Sequence, residues 1–156
     1  LMAYTSLVRS KLKYTSVICN PHQAYLINSL ESLQNKAARF IARDHSATSS
    51  ITRIKDSLDL MPLVTRRRMA RFSLFHKTYH SSSSSRQTHI MSATRIFPRF
   101  GHPNNVNSVF ARTNLNKYSP LNLAISEWNA LPSNIAVIQD YQTFLGFLIS
   151  FISEKA

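Results

Sequence analysis

Three consecutive arginines, Arg66, Arg67 and Arg68, followed by Arg71, are the side chains here whose type and spacing best suit chemistry. That chemistry is anion binding, because a guanidinium presents a planar fork of donors that matches phosphate oxygens. At about 100° per residue, three successive arginines spread around much of a helix, so all three cannot face a core. Arg67 and Arg71 lie one turn apart and are spaced to grip neighbouring phosphates of one strand. They belong to a longer stretch, Leu60 to Ser126, that contains no Asp or Glu. Its ten cations are Arg66, Arg67, Arg68, Arg71, Lys77, Arg86, Arg95, Arg99, Arg112 and Lys117. Solvated helix faces ordinarily mix both signs for i,i+4 pairing, so an acid-free block must find its counter-charge elsewhere. Nucleic acid is the commonest such polyanion, since each cation set against a phosphate releases condensed counterions. The competing reading is a basic, solubilising surface with no specific ligand.

The remaining candidates for chemistry are weaker. Asp56 and Asp59 are three residues apart, but a two-metal site needs several convergent carboxylates, and only four acids precede residue 60. They are expected to be surface acids at a helix end. Cys19 and His22 have a C-x-x-H spacing with no second pair to complete a zinc site. His76, His80, His89 and His102 lack H-E-x-x-H order and are expected at the surface. There is no G-x-S-x-G elbow and no glycine-rich phosphate loop. Trp128, at helical spacing with Leu121 and Ile125, reads as core rather than as a base-stacking platform. No catalytic residue, metal or cofactor is therefore expected in this chain.

The elements that must position these cations are helical. With 156 residues, 44% of them apolar, the chain can bury a core. Only two glycines, Gly101 and Gly146, argue against a hairpin-rich β fold. A single cysteine excludes an intrachain disulfide and suits a reducing compartment. The net charge is +12 and strongly asymmetric: the last 39 residues carry about −2, the part before them about +14. A polyanion should therefore contact the first three-quarters. No signal peptide is evident, the first residue is Leu rather than Met, and a fragment of a longer protein is expected. The apolar run Phe144 to Ile152 is about half of the ~20 residues that cross a bilayer, which favours a buried helix.

Along the chain, Tyr4, Leu7, Val8 and Leu12 form one stripe of an amphipathic helix over residues 1–14. Asn20, Pro21 and Gln23 form a capping signal for the next helix, whose Leu26, Leu30, Leu33, Ala37 and Ile41 should face inward. Lys36, Arg39 and Arg43 make a basic stripe near its C-terminus, where the helix dipole favours cations. Ile51, Ile54 and Leu58 suggest a short helix ending near Asp59. Pro62 opens another, to about Tyr79, with Leu63, Ala70, Leu74 and Phe75 inward. Ser81 to Ser85 form a low-complexity linker. Residues 86–117 are rich in turn formers, with Thr94 to Phe100 a candidate short strand. Ser119-Pro120 starts a helix that Leu131-Pro132 stops, and a last helix spans about Asp140 to Ser153. The expectation is thus mostly α: a basic helical unit over 1–80, a flexible basic linker over 81–117, and a looser unit with two helices over 118–156.

Taken in order, these pieces resemble the region just C-terminal to the polymerase core of non-LTR (LINE-type) retrotransposon reverse transcriptases. The resemblance rests on Leu7-Val8-Arg9 with Leu12 and Tyr14, on Pro21-His22, and on Leu30-Glu31-Ser32-Leu33-Gln34 leading to Ala37-Ala38-Arg39-Phe40-Ile41. It continues through Leu63, Arg66, Arg67, Arg71, Phe75 and Lys77, then Arg112-Thr113, then Trp128-Asn129-Ala130-Leu131-Pro132. Ser10 stands where the family has proline, and Cys19 where it commonly has tryptophan. Nothing here resembles the family's Phe/Tyr-x-Asp-Asp metal motif. The resemblance implies a helical, thumb-like bundle without polymerase activity of its own. Its implied partners are a DNA or RNA template–primer duplex and the upstream palm and fingers, in the cytoplasm and nucleus. The expected phosphate ligands are Arg66, Arg67, Arg68 and Arg71, supported by Lys36, Arg39, Arg43 and Lys77. Three alternatives remain: a helical interaction module pairing through Leu26, Leu30, Leu33 and Ile41, a non-functional transposon remnant, and a basic protein resting on anionic lipid. Phosphate contact would be sequence-independent, since no base-reading motif is present.

Overall fold

The computed structural model describes residues 2–13, 16, 21–44, 46, 48–81, 90–95 and 101–154. The protein is mostly helical, and among the described residues no β-strand forms. Among the described residues its α-helices are α1 (Arg9–Lys13), α2 (Ala24–Ala42), α3 (Ile51–Ser57), α4 (Leu63–His80), α5 (Asn114–Lys117), α6 (Pro120–Asn129), α7 (Ser133–Ala136) and α8 (Tyr141–Glu154). The chain divides into two compact units, Leu1–Arg68 and Met69–Ala156. The division falls inside α4 rather than at the serine run, whose residues 82–85 lie outside the described ones.

In the first unit, α1 is preceded by a π-helical turn, Tyr4–Val8, closed by the Arg9 amide donating to Tyr4 O. A π turn shifts the phase of a helical stripe. Tyr4 is accordingly buried while Leu7 and Val8 are exposed, which corrects the single apolar stripe expected there. α2 starts at Ala24 behind an extended Gln23, later than the Pro21 signal implied; Asn20 lies outside the described residues. The inward face of α2 agrees with expectation in part: Ala37 and Ile41 pack half-buried on the core, but Gln34 and Ala38 are its buried residues, whereas Leu26 and Leu33 are exposed. The reason is a clamp of polar contacts. Gln34 Nε2 donates to the carbonyl oxygens of Met61 (3.0 Å) and Leu60 (3.4 Å). Glu31 Oε1 accepts the amides of Leu63 (2.6 Å) and Val64 (3.2 Å), so a carboxylate from α2 caps the otherwise orphaned first turn of α4. Tyr4, Ala38, Ile54 and Leu60 then form a small core beneath it.

The second unit holds the larger core, built on Phe72, Phe75, Trp128, Ile125, Phe144 and Leu148. On α8, Phe144, Leu148 and Ile152 recur every four residues and are all buried. On α6, Ser119 and Pro120 occupy the cap and first helical positions as the sequence indicated. Residues 101–107, expected to be linker, are a strap fastened to this core by side chains. Trp128 Nε1 donates to Asn104 O (2.9 Å). Asn129 Oδ1 accepts the Val106 amide (3.0 Å), and its Nδ2 donates to Val106 O (2.8 Å). Asn104 Nδ2 donates to Ala136 O (2.9 Å). Ser92 and Val106 make an isolated antiparallel bridge, and most of the short strand expected over 94–100 falls on residues 96–100, outside the described ones.

Candidate nucleic-acid interface

The expected phosphate ligands separate into groups when followed one by one. On α4, Leu63, Arg67, Arg71, Phe75 and Tyr79 recur every four residues, and all five are buried. Two arginines therefore stand on the apolar stripe itself. Arg71 is paired there with an acid from beyond the acid-free block: its Nε donates to Glu127 Oε2 (2.9 Å) and its Nη2 to Glu127 Oε1 (2.6 Å). This bidentate pair is largely removed from water, with side-chain exposures of 5% and 16%. The expectation that Arg67 and Arg71 grip phosphates is thereby corrected: neither guanidinium reaches the surface. Arg39 is half-buried and spends donors on Ser46 O (2.7 Å) and Ser49 O (3.2 Å), bracing the turn after α2.

The other expected ligands keep solvent access. Lys36, on α2, and Arg43, at its C-terminal cap, are both exposed. Arg43 ends the helix in the left-handed region at φ 54°, its amide bonded to Arg39 O and Phe40 O. Arg66 and Arg68 are half-buried. Burial, then the charge of Arg9, lowers the Arg66 guanidinium from its ordinary value. In the second unit Lys77 is exposed with its Nζ 4.2 Å from the centre of the Tyr141 ring, a cation–π contact. Arg53 and Lys11, exposed in the first unit, and Arg95, Arg112 and Lys117, exposed in the second, complete the accessible cations named by position.

Two histidines expected at the surface are instead structural. His76 and His102 are each 1% exposed. His76 Nε2 is 2.7 Å from Ile138 O, and its ring stacks on Phe144 with centroids 4.1 Å apart. His102 Nε2 is 3.0 Å from Trp128 O. A carbonyl can only accept, so each ring presents N–H there. Burial lowers both imidazoles from their usual value, the carbonyl contacts opposing it. His89 lies outside the described residues.

Beside Lys36 and Arg43 on α2 runs an apolar seam, Leu26, Leu33 and Phe40, exposed and spaced by seven. Among the described residues no group of three or more His, Cys, Asp or Glu is disposed to hold a metal ion. No described helix is long and apolar enough to cross a membrane. Comparison of the chain with protein-family models, with curated proteins and with solved structures finds no match.

Proposed function

We propose that the chain is a non-catalytic, nucleic-acid-holding segment, similar to the thumb and post-thumb region of a non-LTR reverse transcriptase, and that it grips template–primer duplex by its phosphates. The observation that carries this reading is charge: the Leu1–Arg68 unit has eleven Lys and Arg against four Asp and Glu. Its ligands are the exposed Lys36 and Arg43, with partial contributions from the half-buried Arg66 and Arg68. Backbone phosphates are the target, and binding is independent of sequence. The resemblance supplies the duplex as the form of the polyanion. Several residues that carry it, Glu31, Gln34, Trp128 and Asn129, are engaged in holding the fold.

Fluorescence anisotropy with duplex and RNA–DNA hybrid probes across a salt series tests it. Two to four phosphate contacts give a log–log salt slope of about −2 to −4. Lys36→Gln with Arg43→Gln should flatten that slope by about 1.8 and weaken all sequences alike. Binding that is indifferent to salt, or an unchanged slope in the double variant, refutes it. The exposed Leu26, Leu33 and Phe40 seam favours a second reading, a module that pairs with another helix. That reading requires a stable, salt-insensitive oligomer in size-exclusion chromatography, lost in Leu33→Gln.

A further inference from the structure

A groove of about 640 Å³ opens in the second unit between the arm at residues 108–111 and helices α5 and α6. Its size suits one or two small planar groups, within the ordinary range of ligand clefts. Phe110, in its lining, is 87% exposed, as are to a lesser degree the neighbouring Val109 and, five residues on, Leu115. So much uncovered apolar surface in a short segment marks a contact site more often than a scattered single residue does. The groove's lining also contains Tyr118, Lys117, Asn122 and Ser126, and no Asp or Glu.

The cation is placed by local structure. Thr113 Oγ1 accepts the Asn116 amide (3.3 Å) and starts α5, which ends on Lys117. Asn122 Nδ2 donates to Asn116 O (2.8 Å) and to Asn116 Oδ1 (2.9 Å), tying α5 to α6. Lys117 Nζ lies 5.7 Å from the centre of the Tyr118 ring. The lining thus offers two aromatic rings, Phe110 from the arm and Tyr118 at the end of α5, with the Lys117 ammonium near the second. Arg112, also exposed, stands one residue before the cap.

The geometry points to a binding site for single-stranded nucleic acid, with an unpaired base stacked on Phe110 and the adjoining phosphate against Lys117. Aromatic faces with interleaved cations are how unpaired strands are held, because every base has a π-face and every linkage a phosphate. A duplex has its bases already stacked on one another and cannot use Phe110. The charge complement argues against an apolar or basic peptide as occupant. This site does not depend on the α2 cations, and it differs from them in wanting bases as well as phosphates.

The test uses the whole chain with four labelled probes: a deoxythymidine decamer, a uridine decamer, an abasic deoxyribose-phosphate decamer and a duplex. Tighter binding of either base-bearing decamer than of the abasic one is expected. Phe110→Ala should lower affinity for the base-bearing strand about 5- to 100-fold, bringing it to the abasic level. The same variant should leave duplex affinity and the melting temperature unchanged, since Phe110 packs on no core. Lys117→Gln should weaken decamers with and without bases alike. Equal binding of abasic and base-bearing strands, or no loss in Phe110→Ala, overturns the proposal, as does displacement of the decamer by an apolar peptide in preference to nucleic acid. Loss of duplex binding in the Lys36 and Arg43 variant, with the Phe110 effect intact, would separate this site from the phosphate grip.

Discussion

Replacing Arg71 by methionine separates a guanidinium that builds the fold from one that binds phosphate. Methionine keeps most of the aliphatic stem, so the change removes charge and hydrogen bonds without opening a large cavity. What is lost is a bidentate pair at 2.9 and 2.6 Å with a largely dry Glu127 carboxylate. Breaking a fully buried pair in this way costs about 3–5 kcal/mol. Glu127 retains 16% exposure, so water reaches part of it, and a loss of about 2–4 kcal/mol is expected. In a chain of this length that lowers Tm on the order of 5–15 °C. Urea unfolding followed by the fluorescence of buried Trp128 reports it, and the midpoint should fall while the slope holds. Combining Arg71→Met with Glu127→Leu should recover most of the loss, because neither charge is then left behind. An Arg71→Met protein as stable as the parent, whose nucleic-acid salt slope drops by about 0.9, would refute this reasoning and return Arg71 to the surface.

Glu31→Ala should destabilise the chain by about 1–2 kcal/mol, since it uncaps the first turn of α4, and thermal unfolding unchanged from the parent would contradict that role. His76 and His102 have lowered folded values, so the unfolded chain binds more protons than the native one as pH drops below about 6.5. Their stability contribution is complete above that pH and falls beneath it, by at most about 1.4 kcal/mol per pH unit for each ring, until the folded values are reached. Urea midpoints from pH 8 to pH 5 check the sign, and a flat profile would mean the rings are already solvated. Gly146→Ala should stabilise α8 by about 0.5–1 kcal/mol, because an added Cβ meets nothing within 4 Å; a lowered Tm would show that the position is packed.

Helix identity was legible because apolar spacing and proline signals are local: Pro62 before α4, Ser119-Pro120 before α6 and the Phe144, Leu148, Ile152 repeat each mark their helix. Helix facing was less so. A π turn shifted the first stripe, and α2 seats Glu31 and Gln34 inward as side-chain clamps while Leu26 and Leu33 stay exposed. The phosphate ligands failed where charge was read without period. Arg67 and Arg71 fall four and eight residues after Leu63, on the line that continues through Phe75, and that spacing was the available sign of burial. What no local pattern could supply was Glu127, 56 residues away, as the counter-charge. The histidines were missed for a related reason: their partners are carbonyl oxygens, which leave no mark in a sequence. The short α7 carries too few residues to establish a period.

The strap at residues 101–107 is held by pins rather than by a ladder. His102, Asn104 and Val106 are each fastened to Trp128 or Asn129, and the main chain adds a single bridge to Ser92. A strand ladder passes an inserted residue on to every pair beyond it. Point fastenings do not, so the arm that follows Asn107 can be lengthened or shortened over generations while Val106 stays seated. Selection thus has a free hand with the reach of Phe110 and none with the core behind it. One residue added to α8 would swing Phe144, Leu148 and Ile152 by about 100° relative to each other across the insertion, and the core would come apart.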